Sequence, residues 1–174
     1  MHPSARKNAQ RFVKNYLDKH KQLKVLEVGS RDVNGSLRDM FSQHDKWVYT
    51  GMDNADGPNV DVVKPYVAYG SGAFPFTSMK FNVVVSSSCL EHDPWPWVTF
   101  KEMVRVTKLD GYIYLCVPSR GRYHAYPLDC WRFKEDAYEA LRMWASPDVE
   151  LVETYIDQDS QDWKDNIGIF RRVA

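Results

Sequence analysis

The chain reads as one α/β domain on a mostly parallel sheet, with an antiparallel hairpin at one edge. Three observations predict this. Strand-like and helix-like stretches alternate through most of the 174 residues. FNVVVSSS at 81–88 is a β-branched run that does not alternate with polar residues, the pattern of a central strand covered on both faces. The last two strand-like stretches, VELVETYI (149–156) and NIGIFRRV (166–173), are joined by a loop and no helix. The length suits a single core, so the domain is expected to span 1–174, with an N-terminal helix in 1–22 and the core in 23–174.

Residues 4–20 are expected to be a helix, with Phe12, Val13, Tyr16 and Leu17 sharing its apolar face. Up to Lys24 this region holds seven Lys or Arg against the single acid Asp18. With little aromatic interleaving, that charge reads as a solvated face.

VLEVGSRDVNGSLRDMF (25–41) is the stretch around which the rest is arranged. An apolar strand carries Glu27 and runs into a turn bracketed by Gly29 and Gly35; a short helix with Leu37, Met40 and Phe41 follows. Glycine lets backbone come close to a ligand, and a helix start offers free N–H groups. A corner of this kind at the carboxyl edge of a sheet makes a nucleotide-type pocket. The spacing fits neither G-x-G-x-x-G nor a phosphate loop with its Lys. Glu27, Arg31 and Asp32 suit a zwitterionic ligand better than a pyrophosphate.

WVYTGM (47–52) is a second strand ending on Asp53, where such a pocket meets ribose hydroxyls through a carboxylate. VDVV (60–63) is a short third strand, and 64–80 a surface loop with an FPF plug at 74–76. After the fourth strand, Asp93-Pro94 is expected to start a helix with Pro in its first turn. LDG (109–111) is expected to turn the chain into a fifth strand, YIYLCV (112–117). PSRGRYHAYPLDCWRF (118–133) follows as a long polar and aromatic loop at a strand's carboxyl end, where α/β folds place substrate contacts. Lys134 to Trp144 reads as a helix. The four Asp of DQDSQDWKDN (157–166) lack the Gly and final Glu of a calcium loop and read as solvated.

Composition excludes several classes. Net charge is zero, which argues against nucleic acid or an anionic membrane as a partner. No apolar run reaches the ~18 residues of a membrane span, and the N-terminus lacks the apolar core of a signal peptide. The odd cysteines Cys89, Cys116 and Cys130 form no CxxC pair, fit reduced thiols in a cytoplasm and give no metal-ligand spacing.

With these residues in view, the chain resembles the class I S-adenosylmethionine-dependent methyltransferases, most closely the small type 11 group. The resemblance runs through VLEVGSRDVNGS, YTGMD, FNVVVSSSCLEH and VRVTKLDGYIYLCVPS, and covers about residues 24–145. It implies a Rossmann-like seven-stranded sheet in the order 3-2-1-4-5-7-6, strand 7 antiparallel, flanked by helices. It also implies S-adenosylmethionine as cofactor. By position, Glu27, Gly29, Ser30 and Arg31, with Gly35 closing the turn, would surround its methionine part. Asp53 would take the ribose, Met52 and Asn54 would flank the adenine, and Ser87, Ser88 and Cys89 would pass under the sulfonium. Two departures stand out. The usual G-x-G-x-G run is reduced to Gly29 and Gly35, and Lys64 follows strand three where many relatives carry an acid.

Methyl transfer needs a nucleophile held in line with the breaking bond, and an oxygen or nitrogen acceptor also needs a base. His92, His124, Tyr126 and Asp129, on the two loops flanking the strand-four tip, are the candidates. The expected acceptor is a small molecule or a glycan-type group. The alternatives are a nucleic-acid methyltransferase, for which Asp93-Pro94-Trp95-Pro96 lacks the double proline, and a non-catalytic member that only binds cofactor. Oligomeric state is open.

Overall fold

A computed structural model describes residues 3–64, 73–159 and 162–174. Seven strands form one sheet in the order β3-β2-β1-β4-β5-β7-β6. β1 (Leu23–Val28), β2 (Trp47–Asp53), β3 (Val62–Val63), β4 (Phe81–Ser87) and β5 (Thr107–Pro118) pair in parallel. β7 (Asp165–Arg172) runs antiparallel to both β5 and β6 (Val149–Ile156). The order and the reversed strand are those expected from the sequence.

Strand periodicity divides the core into two layers. On one face α1 (Pro3–Tyr16) and α2 (Arg38–Ser42) bring Ala9, Phe12 and Phe41 against Val25, Val83, Val85 and Tyr114. On the other, α3 (Pro96–Val106) and α4 (Ala137–Trp144) bring Phe100, Met103 and Tyr138 against Leu26, Val84, Ile113 and Phe170. Glu27 shares its parity with Val25, and Tyr49 packs on that same first core. Glu27 and Asp53 therefore sit on the α1/α2 face, near the carboxyl ends of paired strands.

Several boundaries differ from expectation, each for a local reason. α1 stops at Tyr16, four residues early, because the Asp18 carboxylate accepts the His20 N–H at 2.9 Å and draws the backbone into a turn. α3 begins at Pro96 and not at Pro94. A proline disfavours helical backbone in the residue before it, and Trp95 is accordingly held at φ −131°, ψ 58°. LDG does not precede the fifth strand but lies within it: Asp110, at φ 60°, and Gly111 form a detour inside a longer β5, and the pairing jumps from Phe81↔Thr107 to Val83↔Tyr112. β3 keeps only two of the four residues expected.

The charged faces are largely engaged. Arg6 pairs with Asp39 and Arg11 with Glu153, so part of the basic helix is tied to the domain. Asp157, Asp159 and Asp165 of the last loop accept from Asn8, Lys7 and Ser4 of the same helix. Residues 65–72 of the expected aromatic loop lie outside the described residues; its FPF plug seats Phe74 in the core and sets Phe76 edge-on to Phe81.

Candidate active site

The corner after β1 is built mainly from backbone. Gly29 (φ 80°) and Ser30 both donate their N–H to the Met52 carbonyl, at 2.9 and 3.1 Å, which pins the turn to the end of β2. The next N–H, that of Arg31, reaches the Asp53 carboxylate at 2.9 Å. Asp53 also accepts from Ala55 N–H at 3.2 Å and stays half-buried. A carboxylate offers about four lone-pair directions, so two remain for a diol. Gly35 (φ 122°) donates to Asp32 at 2.6 Å and closes the turn.

Glu27 is only 4% exposed and hydrogen-bonds the Tyr49 hydroxyl. Burial pushes its carboxyl up to about 8, against the opposing pull of that hydroxyl and of Arg38. Arg38 lies over the Tyr49 ring and pairs with Asp61 at 2.5 Å. Glu27 is thus predominantly a neutral acid at pH 7, inside a closed polar network. Ser30 is buried with its Oγ unpartnered and packs against Gly51; the Met52 side chain lies in the core. Arg31 is exposed and lies over Gly57, and Asn54 is half-buried on the loop beyond Asp53.

The tip of β4 closes the hollow from the other side. Ser87 Oγ is buried without a hydrogen-bond partner, and Ser88 sits in left-handed backbone (φ 51°) with its N–H on the Cys116 carbonyl. Cys89 then packs directly on Gly29. Burial, and after it the carboxylates of Asp93, Asp53 and Glu91, push its thiol well up. The residues fit an adenosyl ligand at the Asp53 end. The orphaned Ser87 hydroxyl offers a further polar contact, and Cys89 sets the inner wall.

Of the four proposed catalytic residues, three converge. The rings of His92 and His124 lie edge to face at 4.9 Å, and His124 Nδ1 is 3.4 Å from Asp129 Oδ2. The His92 Nδ1 meets the Leu128 carbonyl at 2.6 Å; burial lowers its pKa, keeping the ring neutral. Arg132 grips Asp129 with two nitrogens, at 2.5 and 2.8 Å, and holds its carboxyl well below the usual range. Tyr126 stands apart, 48% exposed.

Sequence reasoning passed over two members of this site. Glu91 is 1% exposed, its Oε1 is 3.7 Å from His92 Nε2, and burial pushes its carboxyl up to about 8. Trp163, on the β6–β7 loop, lies tilted against the His124 ring with centroids 4.5 Å apart and covers Gly121. Neither had a signal in the sequence, because the burial of one and the ring contact of the other come from residues distant along the chain.

This sheet order, with an acid at the end of β2 and a glycine corner after β1, defines a methyltransferase fold. The methyltransferase domain family matches residues 34–115. That match, just under half of the chain, and the sheet order together support a class I S-adenosylmethionine-dependent methyltransferase of the type 11 group with S-adenosylmethionine as cofactor. Among solved structures, it is similar to the Haloferax volcanii complex of the Trm112 methyltransferase activator (14% identity, 95% of this chain and 88% of that one, TM-score 0.69). It is also similar to the Burkholderia thailandensis 1,6-didemethyltoxoflavin-N1-methyltransferase bound to 1,6-didemethyltoxoflavin and S-adenosylhomocysteine (15%, 98% and 84%, TM-score 0.65). A third is an S-adenosylmethionine-dependent methyltransferase from Mesorhizobium loti (11%, 98% and 99%, TM-score 0.67). At these identities the likeness is one of fold. No curated protein matches the sequence. No described helix is long and apolar enough to cross a membrane.

Proposed function

We propose that the chain methylates an oxygen or nitrogen of a small-molecule or glycan-type acceptor. When bound, the cofactor supplies both the methyl group and its leaving group. The chain's part is to hold the two reactants and take a proton. Asp53 holds the ribose, and Met52 and Asn54 flank the adenine, Met52 through its backbone. Glu27, Gly29, Ser30, Arg31 and Gly35 bound the methionine arm, with Ser87, Ser88 and Cys89 under the sulfonium.

The observation that carries the reading is the meeting of His92, His124 and Asp129 beside the β4 tip. Asp129, kept ionised by Arg132, orients the His124 ring, which accepts the acceptor's proton. Tyr126, exposed on the same loop, is placed to touch the acceptor without sharing that chemistry. Zero net charge favours a small or sugar-like acceptor over nucleic acid, and three free thiols suit a cytoplasmic setting.

The test is calorimetry with S-adenosylhomocysteine, followed by labelled-methyl transfer to a panel of sugars, hydroxy acids and amines. Micromolar binding and transfer to one acceptor class are expected. His124→Ala should lower kcat by about 100-fold and leave cofactor-product affinity unchanged. Transfer only to DNA or RNA, or no cofactor-product binding at millimolar concentration, would overturn the reading.

A further inference from the structure

The side chains of Glu91, His92 and His124 each offer a ligand atom, and the three atoms lie within 4.8 Å of one another. The tautomer of His92 is fixed by what surrounds it. His92 Nδ1 faces the Leu128 carbonyl at 2.6 Å; a carbonyl only accepts, so Nδ1 carries the hydrogen. The lone pair is then on Nε2, the atom 3.7 Å from Glu91 Oε1. His124 Nδ1 faces two acceptors, Arg122 O at 3.3 Å and Asp129 Oδ2 at 3.4 Å, and one donor, Arg132 Nη2 at 3.4 Å, while its Nε2 takes part in none of these contacts. One ring nitrogen bonded to a carbonyl or carboxylate and the other free is how metal-ligating histidines are held.

Glu91 adds an independent observation. Its side chain is buried, and its Oε2 has no hydrogen-bond partner. Leaving such an oxygen unpaired costs several kcal/mol once it is charged. Arg132 makes no hydrogen bond to it: its terminal nitrogens go to Asp129, to the carbonyls of Arg122 and Trp131 and to His124 Nδ1, and its Nε is left without a partner.

We infer that Glu91, His92 and His124 form a binding site for a single divalent transition-metal ion of the zinc type. Two imidazoles and one carboxylate suit zinc or a neighbouring late first-row ion over magnesium, and three protein ligands leave a position open. Ligand bonds of about 2.1 Å set donors roughly 3.4 Å apart, so the observed spacing needs only small side-chain adjustment. Resting on the methyltransferase reading for this point alone, the open position would take the acceptor oxygen and ease loss of its proton to solvent, replacing His124 as the group that activates it. This site was not legible in the sequence, where the three residues show no metal-ligand spacing.

The experiment uses the full chain stripped with chelator. Zinc is titrated against a chromophoric competitor, and cobalt(II) is followed by its visible absorption; S-adenosylhomocysteine binding is measured on the same samples. One zinc per chain is expected, weakened at least about 10-fold in Glu91→Gln and in His124→Ala, with cofactor-product binding retained. Anomalous scattering at the zinc edge from wild-type crystals gives a readout that needs no variant, and should place the ion between the three side chains. Absence of one-to-one zinc binding at micromolar concentration, affinity unchanged in both variants, or an ion at Cys130 or elsewhere would each overturn the site. Zinc binding without methyl transfer would leave it standing and overturn the proposed reaction.

Discussion

Cys89 occupies the space that a side chain at residue 29 would need: a Cβ built on Gly29 would stand 2.5 Å from Cys89 Cβ, and closer still to its sulfur. The first glycine of the corner is therefore required by the protein's own packing as well as by any ligand. Gly29→Ala adds that clash to left-handed backbone worth about 1–2 kcal/mol, and should destabilise by roughly 3 kcal/mol in thermal melts. Cys89→Ala should do the opposite to the site: the fold stays, the hollow widens, and S-adenosylhomocysteine binds at least as tightly by calorimetry.

Asp53 is the acid with lone pairs to spare. Replacing it with Asn puts an N–H donor opposite one of its two backbone partners, Arg31 or Ala55, so stability should drop by about 1 kcal/mol. Loss of the charge-assisted bonds to a ribose should cost more, about 10- to 100-fold in S-adenosylhomocysteine affinity. An unchanged affinity would remove Asp53 from the cofactor site.

Glu27 makes a pH prediction. Its carboxyl titrates near 8 in the folded chain, against an ordinary value of about 4.5. Between those values the native state holds a proton that the unfolded state has released, so stability declines as pH rises through the window. Glu27→Gln removes that dependence. Its stability to urea should match wild type near pH 4 and exceed it at pH 8 by roughly 4 kcal/mol.

Asp129 should behave the other way. Its depressed pKa means stability that is present above the ordinary carboxylate range and lost as pH falls below it. Asp129→Asn gives up the two-pronged Arg132 pair, at a cost of about 2 kcal/mol at pH 7. The amides of residues 120–132 should then exchange hydrogen faster, and kcat should fall further than KM changes.

The sheet was readable because its signals are local: apolar β-branched runs, turn residues between them, and a final hairpin with no helix. The same holds for the places of Gly29 and Asp53, which stand at the carboxyl ends of β1 and β2. What escaped depends on contacts distant in sequence. Nothing at position 89 announces that its sulfur will lie on Gly29, and nothing in LEH says that Glu91 is buried and His92 tied to the Leu128 carbonyl. Tyr126 looked equivalent to its loop neighbours, yet its ring stays in solvent while His124 turns inward to Trp163. Helix starts were misplaced where two prolines competed, and the second won because it constrains Trp95.

Trp163 belongs to the last hairpin, and it is what His124 and Gly121 rest upon. Two loops that lie far apart along the chain are thereby locked to one another, and loosening either one loosens the ring of His124.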